Sequence, residues 1–194
     1  MQRVRIKTFY KETFGIEDDQ LAERLAMISH GEAVKKGQRL ISMGEQMQGL
    51  PILVTGVLRG FLVDESGRDI TDCFIYQKGE VIMGSCKPGE PSLIHMEAIT
   101  DCQVVIVSIK RLQQMMEEPA LLRLHNGQLY EALRRHWQMK MQMYQSDAMT
   151  RYQWFLYTYP GLEEQISGKH LASFLGMTPV TLSRLRRKIR EEAK

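Results

Sequence analysis

Arginine and lysine side chains are concentrated near the end of the sequence. Residues 168–194 hold seven of them against two glutamates, a net charge of +5, whereas the rest of the chain carries −2. A basic end on a near-neutral body favours a polyanionic partner such as a nucleic acid. Charge alone is equally compatible with a solvated helix end. The spacing of these residues must therefore distinguish a nucleic-acid-binding surface from a solvated one.

Three of these cations, with Ser183, would lie on the outer face of one predicted helix. Arg184 is the predicted base-reading residue, because a guanidinium can pair with guanine in the major groove through two hydrogen bonds. Arg187, Lys188 and the preceding Lys169 are predicted to contact phosphates, which fix register without reading sequence. The complete predicted DNA-binding set is Lys169, Thr178, Pro179, Val180, Thr181, Ser183, Arg184, Arg187 and Lys188.

Two short helices joined by a tight turn must position these side chains. Gly176 suits the turn, where a left-handed backbone is needed. Thr178 can cap the second helix, and Pro179 fits its first position, where a missing N–H costs nothing. An ordinary helical hairpin would not require this combination, so residues 168–187 predict a helix-turn-helix. The predicted inner faces are Leu171, Ala172, Leu175, Leu182, Leu185 and Ile189.

The first half of the chain predicts helix followed by many short strands. Leu21, Leu25 and Ile28 recur at helical spacing, which predicts helix within residues 1–30. Over residues 31–108, glycines separate short β-prone runs, a pattern typical of an antiparallel roll or barrel. Asp64 to Arg68 predicts a hairpin turn between two such runs.

A long helix is predicted between the β region and the helix-turn-helix. Leu122, Leu129, His136 and Met143 recur every seven residues, and Leu133 and Lys140 fall between them. A heptad seam buries itself best against a second copy, which favours a homodimer. Packing of one helix on its own sheet is the alternative.

The predicted fold class is therefore α+β. An N-terminal antiparallel β-roll, similar to a jelly roll, is expected over residues 1–117. A dimerisation helix is expected over residues 118–146, and an all-α helix-turn-helix domain over residues 147–194.

This order of elements resembles the Crp–Fnr family of transcription regulators, from about Gly31 to Lys188. Asp147 to Arg151 resembles the family's hinge, and Ile166 to Lys188 its DNA-reading helices. The resemblance implies a cytoplasmic, homodimeric transcription factor. Its expected partners are double-stranded DNA, a second copy of the chain, an unidentified small effector and RNA polymerase, with no membrane. The β-roll motifs that carry the resemblance are Lys36-Gly37-Gln38, Met43-Gly44-Glu45, Gly56-Val57-Leu58-Arg59 and Lys78-Gly79-Glu80.

Two departures from the family pattern bear on the effector and on DNA contacts. Where nucleotide-binding members have Phe-Gly-Glu and Arg-Ser-Ala, this chain has Met83-Gly84-Ser85 and Ser92-Leu93-Ile94. Without the carboxylate and the guanidinium, cyclic AMP is not expected to bind, and the effector stays unknown. No wing is expected after the recognition helix, so its phosphate contacts would be lost or replaced. The predicted ligand pocket is Met83, Gly84, Ser85, Ser92, Leu93, His136 and Trp137.

Other classes of protein find less support in the sequence. An enzyme on a related metal-binding scaffold needs clustered histidines, and His95 is the only histidine of the β region after Gly31. Three widely spaced cysteines predict reduced thiols in the cytoplasm. The chain is therefore not expected to be an enzyme. Two alternatives stay open. One is an adaptor whose basic helices bind a protein, and the other is a haem- or redox-sensing variant with His136, His95, the methionines or the cysteines as ligands.

Overall fold

The computed structural model describes residues 3–85, 87 and 89–192. Cys86 and Lys194, which entered the cysteine and charge arguments, lie outside these residues. The chain begins with two helices, α1 (Arg3–Phe14) and α2 (Asp19–Met27), inside the segment predicted as helical. Gly15, with a φ of +63°, separates them. The carboxylate of Asp18 caps α2 by accepting hydrogen bonds from two amides of its first turn.

Within the described part of the chain, seven strands form the antiparallel roll that the glycine pattern predicts. A three-stranded sheet has the order β1-β7-β3, and a four-stranded sheet the order β2-β6-β4-β5. In the first sheet, β7 pairs on both sides, so that Val105 lies between Gly31 of β1 and Ile52 of β3. The strands are β1 (Ser29–Val34), β2 (Arg39–Ile41), β3 (Gly49–Thr55), β4 (Leu58–Val63), β5 (Asp69–Ile75), β6 (His95–Ala98) and β7 (Cys102–Ser108).

One predicted β-run does not become a strand. Val81 forms only an isolated bridge with Ile52. Beside this bridge, the amide of Ile82 donates to the carbonyl of Pro51 at 2.9 Å. The chain then enters a loop in which the carbonyl of Gly84 accepts a hydrogen bond from the amide of Leu93, at 2.7 Å.

A helical layer covers one face of the first sheet. Ile6, Phe9 and Leu25 from the two N-terminal helices pack against a cluster that includes Ile52 and Val105. These side chains are less than one-tenth exposed. Burial of apolar surface of this kind is the main term that stabilises the roll.

The second half of the described chain is helical. The long helix α4 (Pro119–Gln145) starts at a proline, which is suited to a first helical position. The other helices are α3 (Ile109–Gln113), α5 (Ala148–Thr158), α6 (Gly168–Phe174) and α7 (Pro179–Glu192), with a short 3₁₀ turn at Glu163–Gln165.

Contacts divide the chain into two compact units. The first consists of residues 3–60 and 74–131, and the second of residues 61–73 and 132–192. The second unit therefore contains the hairpin segment, residues 61–73, together with α5, α6 and α7. Its core includes an aromatic cluster, with Phe155 stacked on Tyr159 at a centroid distance of 5.0 Å and Phe174 at 5.8 Å from Phe155.

Candidate nucleic-acid interface

The turn between α6 and α7 has the chemistry that the sequence predicts. Gly176 has a φ of +60°, which an L side chain rarely adopts. The hydroxyl of Thr178 accepts a hydrogen bond from the amide of Thr181, at 3.1 Å, and so caps α7. Pro179 is the first residue of that helix. The two helices are thus fixed at a short, well-capped turn, as a helix-turn-helix requires.

The inner and outer faces of α7 differ sharply in exposure. Leu182 is 1% exposed, and Leu171 and Leu175 of the preceding segment are fully buried. Val180 is 60% exposed on the opposite face. Among the predicted DNA-binding residues, Thr181 is half-buried. The other eight are exposed, namely Lys169, Thr178, Pro179, Val180, Ser183, Arg184, Arg187 and Lys188. The hydroxyl of Thr181 lies 2.9 Å from that of Thr178, within the cap.

One outward stripe of α7 brings the predicted reading residue to its centre. Val180, Arg184, Arg187 and Glu191 follow at helical spacing and share a face. Arg187 lies 3.7 Å from Glu191, so its charge is partly offset within the helix. Arg184 therefore occupies the middle of the exposed face, one turn from the start of the helix.

Lys169, on α6, has a carboxylate close by in the hairpin segment. Its ammonium lies 3.8 Å from Asp69. Beside this pair, the hydroxyl of Ser173 accepts from the amide of Thr71 at 2.9 Å and donates to the carbonyl of Asp69 at 3.3 Å. Sequence reasoning missed these contacts because about one hundred residues separate the partners.

Arg186 lies on the inner side of α7, although it is one of the seven basic residues of residues 168–194. Its guanidinium Nε lies 2.7 Å from the carboxylate of Glu163 in the 3₁₀ turn. The hydroxyl of Tyr152 donates to the same carboxylate oxygen, at 2.6 Å. Burial, with the hydrogen bond to Glu163, raises the pKa of Tyr152 to about 12. The available signal was the position of Arg186, four residues after the inner Leu182.

The structure brings five of the predicted pocket residues together in the first unit. Ser92 is 2% exposed, and its hydroxyl donates to the carbonyl of Ile94 at 2.6 Å. Ser92 also packs directly on Gly84, where any Cβ would collide with it. The loop is completed by Met83, Ser85 and Leu93, with Leu93 62% exposed.

These residues do not fit a cyclic nucleotide. A phosphate needs a cation or several donors where it is buried. The hydroxyl of the buried Ser92, the residue that the sequence resemblance matches to the family's arginine, is engaged with main-chain carbonyls. Lys87 is exposed and lies 3.7 Å from Glu90. The buried guanidinium of Arg59 is paired with Glu97, with Nη2 to Oε1 at 2.6 Å.

An apolar cavity lies elsewhere in the first unit, on the side of the N-terminal helices. Its empty volume is about 670 Å³ with the solvent at its mouth included. Phe14, Ile52 and Leu121 line it, and Met83 is the one member of the predicted pocket among its described lining residues. His136 and Trp137 belong to the second unit and are exposed. The predicted pocket is thus not assembled as one site within either unit.

Helix α4 carries an exposed apolar stripe. Leu122 and Leu133, both in the predicted seam, are 46% and 55% exposed. The stripe continues through Trp137 and Tyr144, with the ammonium of Lys140 5.0 Å from the centroid of the Trp137 ring. Three other predicted seam residues differ from this pattern: His136 is exposed but polar, and Leu129 and Met143 are half-buried.

The described residues also bear on metal binding and on membrane insertion. No group of three or more histidine, cysteine, aspartate or glutamate side chains within residues 3–85, 87 and 89–192 could hold a metal ion. Among the helices of the described chain, none is long and apolar enough to cross a membrane.

The fold is shared with known bacterial regulators. FixK2 from Bradyrhizobium japonicum is 19% identical, with 86% of each chain covered and a TM-score of 0.77. CLP, a c-di-GMP-responsive global regulator from Xanthomonas campestris, is 18% identical, with 91% of this chain and 93% of CLP covered and a TM-score of 0.74. A protein from Eubacterium rectale assigned to the Crp/Fnr family of transcriptional regulators is also 18% identical, with 95% and 88% covered and a TM-score of 0.72.

The fold of these proteins is the predicted one, with an antiparallel roll, a long helix and C-terminal helices, so the predicted fold class is confirmed. At the sequence level, residues 16–119 match the family model of the cyclic nucleotide-binding domain, and the chain belongs to that family. No curated protein matches the chain.

Proposed function

We propose that the protein is a homodimeric transcription regulator of the Crp–Fnr type that binds duplex DNA through α7. The observation that carries this proposal is the outer face of α7. Val180, Arg184 and Arg187 project from a helix that is seated on α6 by a capped turn. A helix presented in this way enters the major groove with side chains from its first turns near the base edges.

The roles of individual side chains follow from their chemistry. Arg184 reads a guanine, and Val180 supplies an apolar contact to a thymine methyl. Arg187, Lys188 and Lys169 attract phosphates. This division of roles makes specificity depend on few residues and affinity on many.

The exposed stripe of α4 supports the homodimer. Leu122, Leu133, Trp137 and Tyr144 leave a long apolar strip on one helix, and such a strip is stable in water when it faces a second copy. A symmetric dimer would then place two copies of α7 for two half-sites. Lys140, over the Trp137 ring, would lie at the edge of this contact.

The effector would bind the first unit and act on the dimer through α4. The loop that contains Gly84 and Ser92 does not fit a cyclic nucleotide, so the effector would be of another chemical class. RNA polymerase in the cytoplasm would be the further partner of a protein with this role.

The test is selection of duplexes from a random pool by the full-length protein, with and without small molecules from a cell extract. We expect enrichment of a two-fold-symmetric sequence, bound with a steep salt dependence. Sedimentation of the same protein should show a dimer at micromolar concentration. Failure to enrich any duplex, with salt-independent capture of a protein instead, would support the adaptor hypothesis and overturn the proposal.

A further inference from the structure

Arg186 is set apart from the other basic residues of α7 by its surroundings. Its side chain is 33% exposed, against 72% for Arg187. Its Nε lies 2.7 Å from Oε1 of Glu163, a residue of the 3₁₀ turn that follows α5. A charge held in this way is directed into the protein and away from DNA.

The same carboxylate oxygen holds a second partner. The hydroxyl of Tyr152 on α5 donates to Oε1 of Glu163 at 2.6 Å, and Tyr152 is 4% exposed. One oxygen of Glu163 therefore joins three elements: α5, the 3₁₀ turn and α7. Tyr152 is immobilised by its burial, so the network ties α7 to a fixed point of the core.

The geometry of a helix links this tie to the reading face. Successive residues are about 100° apart around the axis, so Arg184 and Arg186 point to opposite sides of α7. The apolar seat of the helix is narrow, because Leu182 is buried while Leu185 and Ile189 are only half-buried. A hydrogen-bonded arginine on the inner side therefore adds a polar restraint on rotation about the helix axis to the restraint given by the turn and the apolar contacts.

We propose that Arg186 is a specificity-determining positioning residue, which acts through Glu163 and Tyr152 to set the rotation at which Arg184 meets the base edges. This inference rests on the proposed function, since it needs DNA binding by α7. It adds that the ion pair serves sequence discrimination and not attraction to DNA. An ion pair that is one-third exposed adds little stability, so its loss should leave the fold in place.

The test compares two variants of the full-length protein that lose the same charge from the same helix. Arg186→Gln removes the arginine of the network, and Arg190→Gln removes an exposed arginine one turn later. Affinity is measured on the selected duplex and on a scrambled duplex at several salt concentrations. We expect Arg190→Gln to weaken both duplexes alike. Arg186→Gln should instead lower the ratio of the two affinities about tenfold, the size of one lost base-reading contact.

Two further variants leave every charge of α7 in place. Glu163→Gln and Tyr152→Phe should also lower the affinity ratio, with the scrambled duplex bound as by the native protein. Near-ultraviolet circular dichroism checks that each variant keeps its tertiary packing. If Arg186→Gln does not fold, the other two variants still decide the inference.

The outcomes separate this inference from the proposed function. If the native protein selects a duplex but Arg186→Gln, Glu163→Gln and Tyr152→Phe all keep its affinity ratio, the positioning role is overturned and the DNA-binding function stands. If the native protein selects no duplex, both are overturned.

Discussion

At the scale of single residues, the outer face of α7 separates reading from attraction. Arg184 lies in the middle of the exposed stripe, and a bidentate contact with guanine discriminates by roughly 1–3 kcal/mol. Arg184→Ala should therefore weaken the selected site about tenfold or more and relax preference at one base pair of each half-site. Competition with duplexes altered at single positions measures this. Equal losses on selected and scrambled duplexes would assign the reading role to another residue.

Lys188 provides the contrasting case. Lys188→Ala should weaken selected and scrambled duplexes by the same factor, because a phosphate contact carries no sequence information. A plot of log affinity against log salt concentration should become shallower by about one unit per protomer, hence about two per dimer. An unchanged slope would exclude a phosphate contact for Lys188.

The loop that contains Gly84 and Ser92 leads to a prediction about the effector. Ser92 is the residue that the sequence resemblance matches to the family's arginine, and its hydroxyl is engaged with the carbonyls of Ile94 and Gly84. Isothermal calorimetry with cyclic AMP or cyclic GMP should detect no binding at sub-micromolar concentration, because a phosphate buried there would lack a counter-charge. Sub-micromolar affinity for either nucleotide would show that another side chain supplies the cation.

At the scale of elements, Ser173 joins the hairpin segment to α6. Its hydroxyl accepts a hydrogen bond from the amide of Thr71. Thr71 is only 4% exposed. Ser173→Ala removes that acceptor and should cost about 1–3 kcal/mol locally, the penalty of a lost buried hydrogen bond. Hydrogen exchange at Thr71, or proteolysis within residues 61–73, should become faster. Ser183→Ala, on the exposed face of α7, is the control and should change neither.

The stripe on α4 makes a prediction about assembly. Leu133→Glu would place one charge from each copy in the proposed seam, and an unpaired buried charge costs several kcal/mol. The variant should sediment as a monomer at micromolar concentration. Gln138→Glu adds the same charge to an exposed position off the stripe and should remain dimeric. Dimerisation of Leu133→Glu equal to that of the native protein would contradict the seam.

The elements were predictable to the extent that local residues determine them. Gly176, Thr178 and Pro179 specify a turn and a helix start within a few residues, and the structure confirms their conformations. The inward pairing of Arg186 was not predictable from charge, because it depends on Glu163, which is 23 residues away. The contact of Ser173 with the hairpin segment depends on tertiary folding across an even longer stretch of chain.

At the scale of the whole molecule, two-fold symmetry imposes a spacing on the DNA. In a symmetric dimer the two copies of α7 must meet successive major grooves, about 34 Å or 10 base pairs apart. Insertion of five base pairs between the half-sites turns one of them to the opposite face of the duplex. The native protein should then lose at least about tenfold in affinity, since one half of the specific contacts is out of reach.

The monomeric variant gives this spacing experiment its control. Leu133→Glu keeps α7 and all its basic residues, so it should still bind each half-site weakly. Because no partner is attached, its affinity should not change when the five base pairs are inserted. Electrophoretic titration of both proteins on both duplexes gives the four values needed. If the insertion leaves the affinity of the native protein unchanged as well, each recognition helix binds DNA independently. That result would contradict symmetric recognition by a dimer.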